Sequence, residues 1–320
     1  MILNRAQPSD SLRPFGVERT SISGYALRLQ ESLTTLVSQH QYPHSVNVLL
    51  CQLASLTALL HGSFKMNGIL TLQVKGDGLI DTLVCDVDHQ GALRGYAHFN
   101  EDILTCPYDS SAPLSTWVGE GYLLLVLDPD EGARYQGVVA LTGATLVDCV
   151  EHYFTQSVQH PTKIVLATQG SKDFAHEEFL GQADRLLSKA SLPSTWRAGA
   201  VMIQQHSDGF SQAELTEHWA EASCHMETIS ARELLEPDSD HLDGLLFRLF
   251  HEHGVRVHDA RPLMAQCRCS QQKIQKAVDQ AMSEQLQGDV ALESVPVTCE
   301  FCGSVYDILV PPAGVIKSGE

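Results

Sequence analysis

Four cysteines near the C-terminus limit the fold of this chain more than any other feature of its sequence. Cys267 and Cys269 form a C-x-C pair, 29 residues follow, and Cys299 and Cys302 form a C-x-x-C pair. Two close pairs separated by the length of a short domain are typical of a tetrahedral zinc site, with each thiolate about 2.3 Å from the metal. Gly303 follows the second pair, as in a zinc knuckle. We therefore predict that these four cysteines bind one Zn²⁺ per chain.

The segment around these cysteines, about 50 residues long, is too short to bury a core that is stable by itself. Structural zinc contributes ~10–16 kcal/mol at neutral pH, whereas a whole domain is stable by only ~5–15 kcal/mol. Between the pairs, Ser270 can cap a helix that carries Ile274 and Val278. Around the second pair, Val295–Val297 can form a hairpin with Val305–Ile308. Loss of the metal should therefore unfold this segment.

The region before the cysteines has the pattern of three short helices joined by polar breaks. Ser211 with Glu214 forms one capping box, and Ser230 with Glu233 forms a second. A third helix has an apolar stripe made of Leu242, Leu245, Leu246, Leu249 and Phe250. Helices of this length are marginal alone, so their apolar faces need a partner. We expect the stripe to face a core at rest.

The first 200 residues combine helical patterns with apolar residues at period two. Leu70, Leu72 and Val74 alternate with polar residues, and short turns connect this strand pattern to its neighbours. Consecutive strands with short turns indicate an antiparallel meander rather than β-α-β units. The predicted fold class is α+β, with antiparallel sheets and packed helices, a helical linker and a small zinc domain. The predicted parts are an N-terminal tail or edge strand (1–20), a core (21–206), the linker (207–257) and the zinc domain (258–320).

Composition limits the partners and the compartment. The net charge of −18 argues against a nucleic-acid partner, because phosphate binding needs clustered Lys and Arg. The chain begins without an apolar leader, and no run of ~18 apolar residues is found, so we expect a cytoplasmic protein without membrane contact. Nine cysteines, an odd number, also fit a reducing compartment better than a disulfide scaffold. We expect the other five to be inert packing residues: Cys51, Cys85, Cys106, Cys149 and Cys224.

The cysteine spacing leaves more than one function open. Zinc-bound thiolates can react with peroxide and condense to disulfides that cellular thiols reduce, which makes a reversible switch available. A purely structural zinc ribbon, or a zinc-dependent interaction module without a switch, has the same spacing. A thiol-disulfide oxidoreductase using Cys299 and Cys302 is another alternative, although such a site normally opens a helix.

Several stretches in the predicted core, linker and zinc domain resemble the sequences of a known family. The four cysteines match its C-x-C and C-x-x-C signature. Further matches extend through the linker and the first domain: LLFRLFHEHGVRVHDARP at Leu245–Pro262, GILTLQVKGDG at Gly68–Gly78, LRGY at Leu93–Tyr96, YQG at Tyr135–Gly137, YFTQSVQHPT at Tyr153–Thr162 and WRAG at Trp196–Gly199. On these residues, from about 20 to 310, the chain resembles the 33-kDa heat-shock protein family of bacterial redox-regulated chaperones.

This resemblance implies an ATP-independent holdase, which is not an enzyme in the turnover sense. The reduced form would bind zinc and be largely inactive. Oxidation would form the disulfides Cys267–Cys269 and Cys299–Cys302, release zinc and unfold the linker. Apolar surface would then bind unfolding client proteins, commonly as a homodimer. The linker stripe, Leu242 to Phe250, is the candidate client surface.

Overall fold

The computed structural model describes residues 9–64, 66–106, 108–170, 195–207, 209–236, 241–282 and 293–310. The chain divides into two compact units, Met1–Ala265 and Gln266–Glu320. Its strands are β1 (Ser11–Val17), β2 (Ile22–Leu29), β3 (Gly68–Gly76), β4 (Ile80–Asp88), β5 (Ala92–Phe99), β6 (Gly121–Pro129), β7 (Tyr135–Ala140), β8 (Thr162–Gly170), β9 (Trp196–Gln205), β10 (Val255–Val257), β11 (Arg261–Pro262), β12 (Met264–Ala265), β13 (Glu293–Thr298) and β14 (Val305–Val310). Its α-helices are α1 (Glu31–Ser38), α2 (His44–Ser63), α3 (Ser115–Val118), α4 (Leu146–Tyr153), α5 (Gln212–Glu227), α6 (Ala231–Leu235), α7 (His241–Phe250) and α8 (Gln271–Met282).

Two sheets form the framework of the larger unit. The first sheet has the order β10-β1-β2-β9-β8, with β11 also paired to β1, and the second has the order β12-β5-β4-β3-β6-β7. The described pairings are antiparallel except that of β12 with β5. The predicted α+β class with antiparallel sheets and packed helices is therefore confirmed.

Helix α2 lies between the two sheets and contacts strands of both. Apolar residues on nearly every side of it are buried, because each side faces a sheet or another helix rather than water. Among the described residues, this is the one helix with the length and apolar composition to cross a membrane, but 89 % of its qualifying window is buried inside the fold. Polar residues such as Ser55 and Thr57 interrupt its apolar run, and each donates to a backbone carbonyl of the same helix.

The opposite face of the first sheet supports a second apolar cluster, which we call the linker core. On β9, Ala200 and Met202 face α2, whereas Val201 and Ile203 face the other side, because strand side chains alternate between faces. Helices α5 to α7 cover this other side. The sheet and intervening residues of the linker core are Phe15, Val17, Ile22, Ala26, Ala167, Val201, Ile203 and Ile229, and its helix residues are Ala222, Met226, Leu234, Leu242, Leu245, Leu246, Leu249 and Phe250.

The N-terminal boundary needs a correction. The tail or edge strand predicted over residues 1–20 includes β1, which is not at an edge: it pairs with β2 on one side and with β10 and β11 on the other. Phe15 and Val17 of this strand are buried in the linker core. Residues 1–8 lie outside the described residues. A strand at this place was one of the two predicted alternatives, but its interior position was not predicted, because its partners β10 and β11 lie some 240 positions away.

The first compact unit also extends to residue 265, beyond the predicted linker boundary at 257, because β11 and β12 pair with β1 and β5. The division of this unit into a core and a linker remains a prediction.

Gly199 permits helix α6 to approach β9 closely. A Cβ atom at this position would lie 2.0 Å from the Leu234 carbonyl oxygen. We therefore expect Gly199→Ala to displace α6 and to lower the free energy of unfolding by about 1–3 kcal/mol, as overpacking does in cores. Chemical denaturation and hydrogen exchange of the α6 amides would measure both effects.

Gly244 offers the matched control, because a Cβ atom there meets nothing within 4 Å and the residue lies inside α7. Gly244→Ala should raise stability by about 0.5–1 kcal/mol through helix propensity. Equal stability changes of the same sign in both variants would contradict close packing at Gly199.

Candidate metal centre

The smaller unit consists of a helix packed on a hairpin in its described part. Strands β13 and β14 pair in register from Glu293↔Val310 to Thr298↔Val305. The Gln275 side chain of α8 donates to the Leu309 carbonyl and accepts from its N–H, both at 2.8 Å. Ile308 is fully buried, whereas most other described residues of this unit are at least partly exposed. So small a core agrees with the expectation that the unit needs a further source of stability.

The first cysteine pair lies in the irregular segment before the helix, and the second lies on the turn of the hairpin. Cys267 and Cys269 come directly before α8, whose first turn is capped by the Ser270 hydroxyl, which accepts from the Lys273 N–H. Cys299 and Cys302 lie on the turn between β13 and β14.

The second pair has the backbone of a zinc knuckle. Gly303 has a φ of +70°, which glycine adopts without strain. The Gly303 N–H donates to the Cys299 carbonyl at 2.8 Å, and the Cys299 N–H donates to the Ser304 carbonyl at 2.9 Å. The N–H groups of Phe301 and Cys302 are directed at the Cys299 sulfur. Backbone N–H groups of the knuckle therefore hold the Cys299 sulfur in place.

The four sulfurs form a cluster of the size that zinc requires. Cys267 Sγ and Cys299 Sγ are 3.8 Å apart, and Cys269 Sγ and Cys302 Sγ are 3.5 Å apart. All four sulfur atoms lie within 4.8 Å of one another. Sulfurs at the corners of a tetrahedron, each about 2.3 Å from its centre, are about 3.8 Å apart. The cluster can therefore hold a metal ion with little rearrangement.

The thiols influence one another's protonation. Burial raises the pKa of Cys269 to about 12, and it also raises the pKa of Cys299. Burial acts in the same direction on Cys302, but hydrogen bonds with the side chain and backbone of Ser304 and with neighbouring thiols bring its pKa down to about 7. Without a metal, Cys269 and Cys299 therefore keep their protons at neutral pH. A divalent cation would displace these protons, since thiolates are the ligating form.

Two side chains beside the sulfurs were not found from the sequence. The Tyr306 hydroxyl lies 3.2 Å from Cys269 Sγ, and the Ser304 hydroxyl lies 3.3 Å from Cys302 Sγ. The hydrogen bond to Cys269 raises the pKa of Tyr306 to about 12, so the phenol keeps its proton. One signal was available for Tyr306, because it alternates with Ile308 and therefore shares a strand face with the buried residue of the unit.

The remaining cysteines divide into two groups. Cys51, Cys85 and Cys149 are buried, and burial raises the pKa of each thiol, which agrees with the expected packing role. Cys106 and Cys224 are exposed, so the prediction that they pack in the interior is wrong. Helical or apolar neighbours in the sequence do not decide which side of an element meets water.

The apolar stripe of the third linker helix is buried as expected. Leu242, Leu245, Leu246, Leu249 and Phe250 have exposed fractions between 0 % and 6 %. The Phe250 ring stacks on Phe15 of β1 with centroids 5.9 Å apart. Both predicted capping boxes are also observed, at Ser211 with Glu214 and at Ser230 with Glu233.

Polar contacts add to the attachment of the linker helices. Arg13 of β1, itself buried, forms an ion pair with Asp243 of α7. His253 forms a hydrogen bond with Glu221 of α5 at 2.9 Å. Both pairs are partly exposed, so each adds modestly to the apolar burial that holds these helices.

Comparisons with known proteins match nearly the whole chain. The family model described as Hsp33 protein matches residues 10–309. A 33 kDa chaperonin of Caulobacter vibrioides is 35 % identical over 309 residues, covering 95 % of this chain and 96 % of the relative. A 33 kDa chaperonin of Salmonella typhi is 32 % identical over 299 residues, covering 93 % and 91 %.

Comparison with solved structures agrees with these sequence matches. A crystal structure of the 33 kDa chaperonin from Thermotoga maritima, also titled heat shock protein 33 homolog, superposes with a TM-score of 0.63 at 18 % identity, covering 93 % of this chain and 94 % of that one. The family match covers nearly the whole chain, including the four cysteines, so the chain is a member of the Hsp33 family of chaperones.

Proposed function

We propose that this protein is a redox-regulated, ATP-independent holdase that binds unfolding proteins after oxidation. In the reduced form, Cys267, Cys269, Cys299 and Cys302 hold one Zn²⁺ and the linker helices cover the first sheet. The observation that carries the proposal is the linker core, a large apolar sheet face covered by short helices. The first zinc cysteine follows the last of these helices by only 17 positions.

The metal accounts for the stability of the reduced small unit. A Zn²⁺ bound by the four cysteines would join the two pairs. Such a site contributes ~10–16 kcal/mol, whereas the described part of this unit buries little apolar surface. Removing the four ligands should therefore remove most of the free energy that keeps the unit folded.

Oxidation supplies a way to remove the ligands. A cysteine thiolate attacks hydrogen peroxide, the O–O bond breaks, and the sulfur becomes a sulfenic acid as hydroxide leaves. The neighbouring thiolate then attacks this sulfur, expels a second hydroxide and forms a disulfide. The proposed disulfides are Cys267–Cys269 and Cys299–Cys302, the pairs closest in sequence. Each disulfide withdraws two ligands and uses one peroxide.

Unfolding of the small unit would leave the linker helices without their C-terminal support. Helices of 16, 5 and 10 residues are marginal when unpacked. Their release would expose the sheet face with Phe15, Val201 and Ile203, together with the linker stripe from Leu242 to Phe250. Contiguous apolar surface of this kind binds other apolar surfaces. The clients are therefore proteins that expose apolar segments as they unfold.

The remaining parts of the proposal concern setting and partners. The oxidised chain is proposed to act as a homodimer in the cytoplasm, without catalytic turnover. The net charge of −18 supports solubility while apolar clients are bound and disfavours nucleic acid as a partner. The oxidoreductase alternative is less favoured, because the C-x-x-C pair lies on a turn between two strands rather than at the start of a helix.

A peroxide titration tests the proposal. We expect zinc release, loss of far-UV circular dichroism and suppression of client aggregation to rise together, with about two peroxides per chain as the limiting stoichiometry. Chromophoric chelation, circular dichroism and light scattering of a heat-denaturing client would measure them. Retained zinc and an unchanged fold after mild oxidation would instead support a zinc-dependent interaction module, and zinc release without any gain in suppression would reject the switch.

A further inference from the structure

The four cysteine sulfurs differ in the hydrogen-bond donors around them. Cys299 lies within the backbone turn of the knuckle, and Cys302 lies beside the Ser304 hydroxyl at 3.3 Å. Cys269, from the other pair, lies 3.2 Å from the phenol oxygen of Tyr306. Cys269 and Tyr306 are 37 positions apart, so the folded hairpin is needed to bring them together.

The position of Tyr306 is well defined by its strand. It pairs with Val297 inside the β13–β14 register and is partly buried, two residues before the buried Ile308. Gln271 at the start of α8 donates to the neighbouring Asp307 carbonyl at 2.8 Å, which joins this part of β14 to the helix that follows Cys269. The phenol is therefore held at the sulfur by both the strand and the helix.

The direction of this hydrogen bond follows from the ligand state of the sulfur. A metal-bound cysteine is a thiolate, which has no proton to donate, so the phenol O–H must be the donor. A hydrogen bond to an ionised acceptor is stronger than a neutral one. It withdraws electron density from the sulfur, and the sulfur loses part of this stabilisation when it attacks an electrophile.

We propose that Tyr306 is a positioning residue that slows the reaction of Cys269 with two-electron oxidants by donating its phenol hydrogen bond to the sulfur. The proposal rests on the proposed function, in which these thiolates are the redox-sensing groups. The step it controls is attack of the Cys269 sulfur on peroxide, in which the O–O bond breaks, sulfur loses two electrons and hydroxide leaves. Tyr306 itself is neither oxidised nor consumed.

The test is the reaction rate of each cysteine in the zinc-loaded full-length protein. Iodoacetamide is the electrophile, and mass spectrometry follows modification of Cys269 and Cys302 separately. Tyr306→Phe keeps the ring and removes the donor, so Cys269 should react roughly threefold to tenfold faster, while Cys302 changes less than twofold. Peroxide-driven zinc release should accelerate in the same variant.

Two matched variants separate this effect from general loosening of the unit. Ser304→Ala deletes a hydroxyl beside Cys302 and should leave the Cys269 rate within twofold of the original protein. Tyr122→Phe removes an exposed phenol in the other unit and should change neither rate. An equal acceleration at Cys269 and Cys302 in Tyr306→Phe, or no acceleration at Cys269, would overturn the proposal.

A substitution with the opposite expected effect on the Cys269 rate keeps the test decisive if Tyr306→Phe fails to retain zinc. Site-specific 3-fluorotyrosine at position 306 gives a more acidic phenol and a stronger donor, so Cys269 should react more slowly than in the original protein. An unchanged or faster rate would again reject the role of Tyr306. Because alkylation needs neither oxidant nor client, it reports on Tyr306 even if the peroxide switch itself proves wrong.

Discussion

Cys299→Ser is expected to abolish stoichiometric zinc binding and to unfold the smaller unit. Cys299 belongs to the knuckle, and its sulfur lies 3.8 Å from Cys267 Sγ across the cluster. A serine hydroxyl does not ionise at neutral pH and is a poor zinc ligand, so the site would lose one of its four ligands. The free energy at stake is ~10–16 kcal/mol, as large as the stability of a whole domain.

The measurements for this variant are direct. Native mass spectrometry should show less than one zinc per chain, and limited proteolysis should cleave the smaller unit of the variant but not of the zinc-loaded parent. On the proposed function, the variant should also suppress client aggregation without added oxidant. Cys106→Ser is the matched control, because Cys106 is exposed and outside the cluster. It should keep one zinc and remain dependent on peroxide.

Two outcomes would contradict this prediction in different ways. A Cys299→Ser protein that holds one zinc with unchanged protease resistance would mean that Cys299 is not a required ligand. A protein that loses zinc and unfolds its smaller unit, yet still needs peroxide to bind clients, would separate the metal site from the control of the linker.

Phe250→Ala is expected to open the linker helices in the reduced, zinc-loaded protein. Phe250 is 2 % exposed, stacks on Phe15 of the first sheet and also contacts the His225 ring of α5. Truncating a buried phenylalanine costs about 3–5 kcal/mol through lost transfer free energy and the cavity that remains. Since the linker helices are short, we expect their packing to be the least stable part of the larger unit. The lost free energy should therefore open these helices first.

Hydrogen exchange and client binding would measure the consequence. Amides of α5 and α7 should exchange about a hundredfold faster or more, while those of α2 stay protected. Aggregation of a client should be suppressed without oxidant. Phe247→Ala is the matched control on the same helix, because Phe247 is 53 % exposed, and it should change stability by no more than about 0.5 kcal/mol.

The proposal that the linker core binds clients depends on whether Phe250→Ala suppresses client aggregation without oxidant. If Phe250→Ala accelerates exchange across the linker helices but aggregation suppression still requires peroxide, the linker core is not the surface that binds clients. If neither quantity changes, the packing of Phe250 does not control the linker.

Local signals predicted much of this structure. The capping boxes at Ser211 and Ser230 were read correctly because both partners lie three residues apart and satisfy backbone groups of the same turn. The helix between the cysteine pairs and the hairpin around the second pair were predicted from short-range periodicity. The interior position of strand β1 in its sheet was not predictable in this way, because its pairing with β10 and β11 joins residues that are some 240 positions apart in the sequence.

The sequence by itself determined the four candidate ligands. Only one or two residues separate the cysteines of each pair, so the two sulfurs of a pair lie close together in the folded chain. The sequence also determined where the linker helices begin. Only the tertiary structure decided that these helices cover the first sheet through Phe15, Val201 and Ile203, and that Tyr306 reaches Cys269. The reason is physical: burial and hydrogen bonding to a sulfur depend on groups that are distant in the chain and meet only after the sheets and the hairpin have formed.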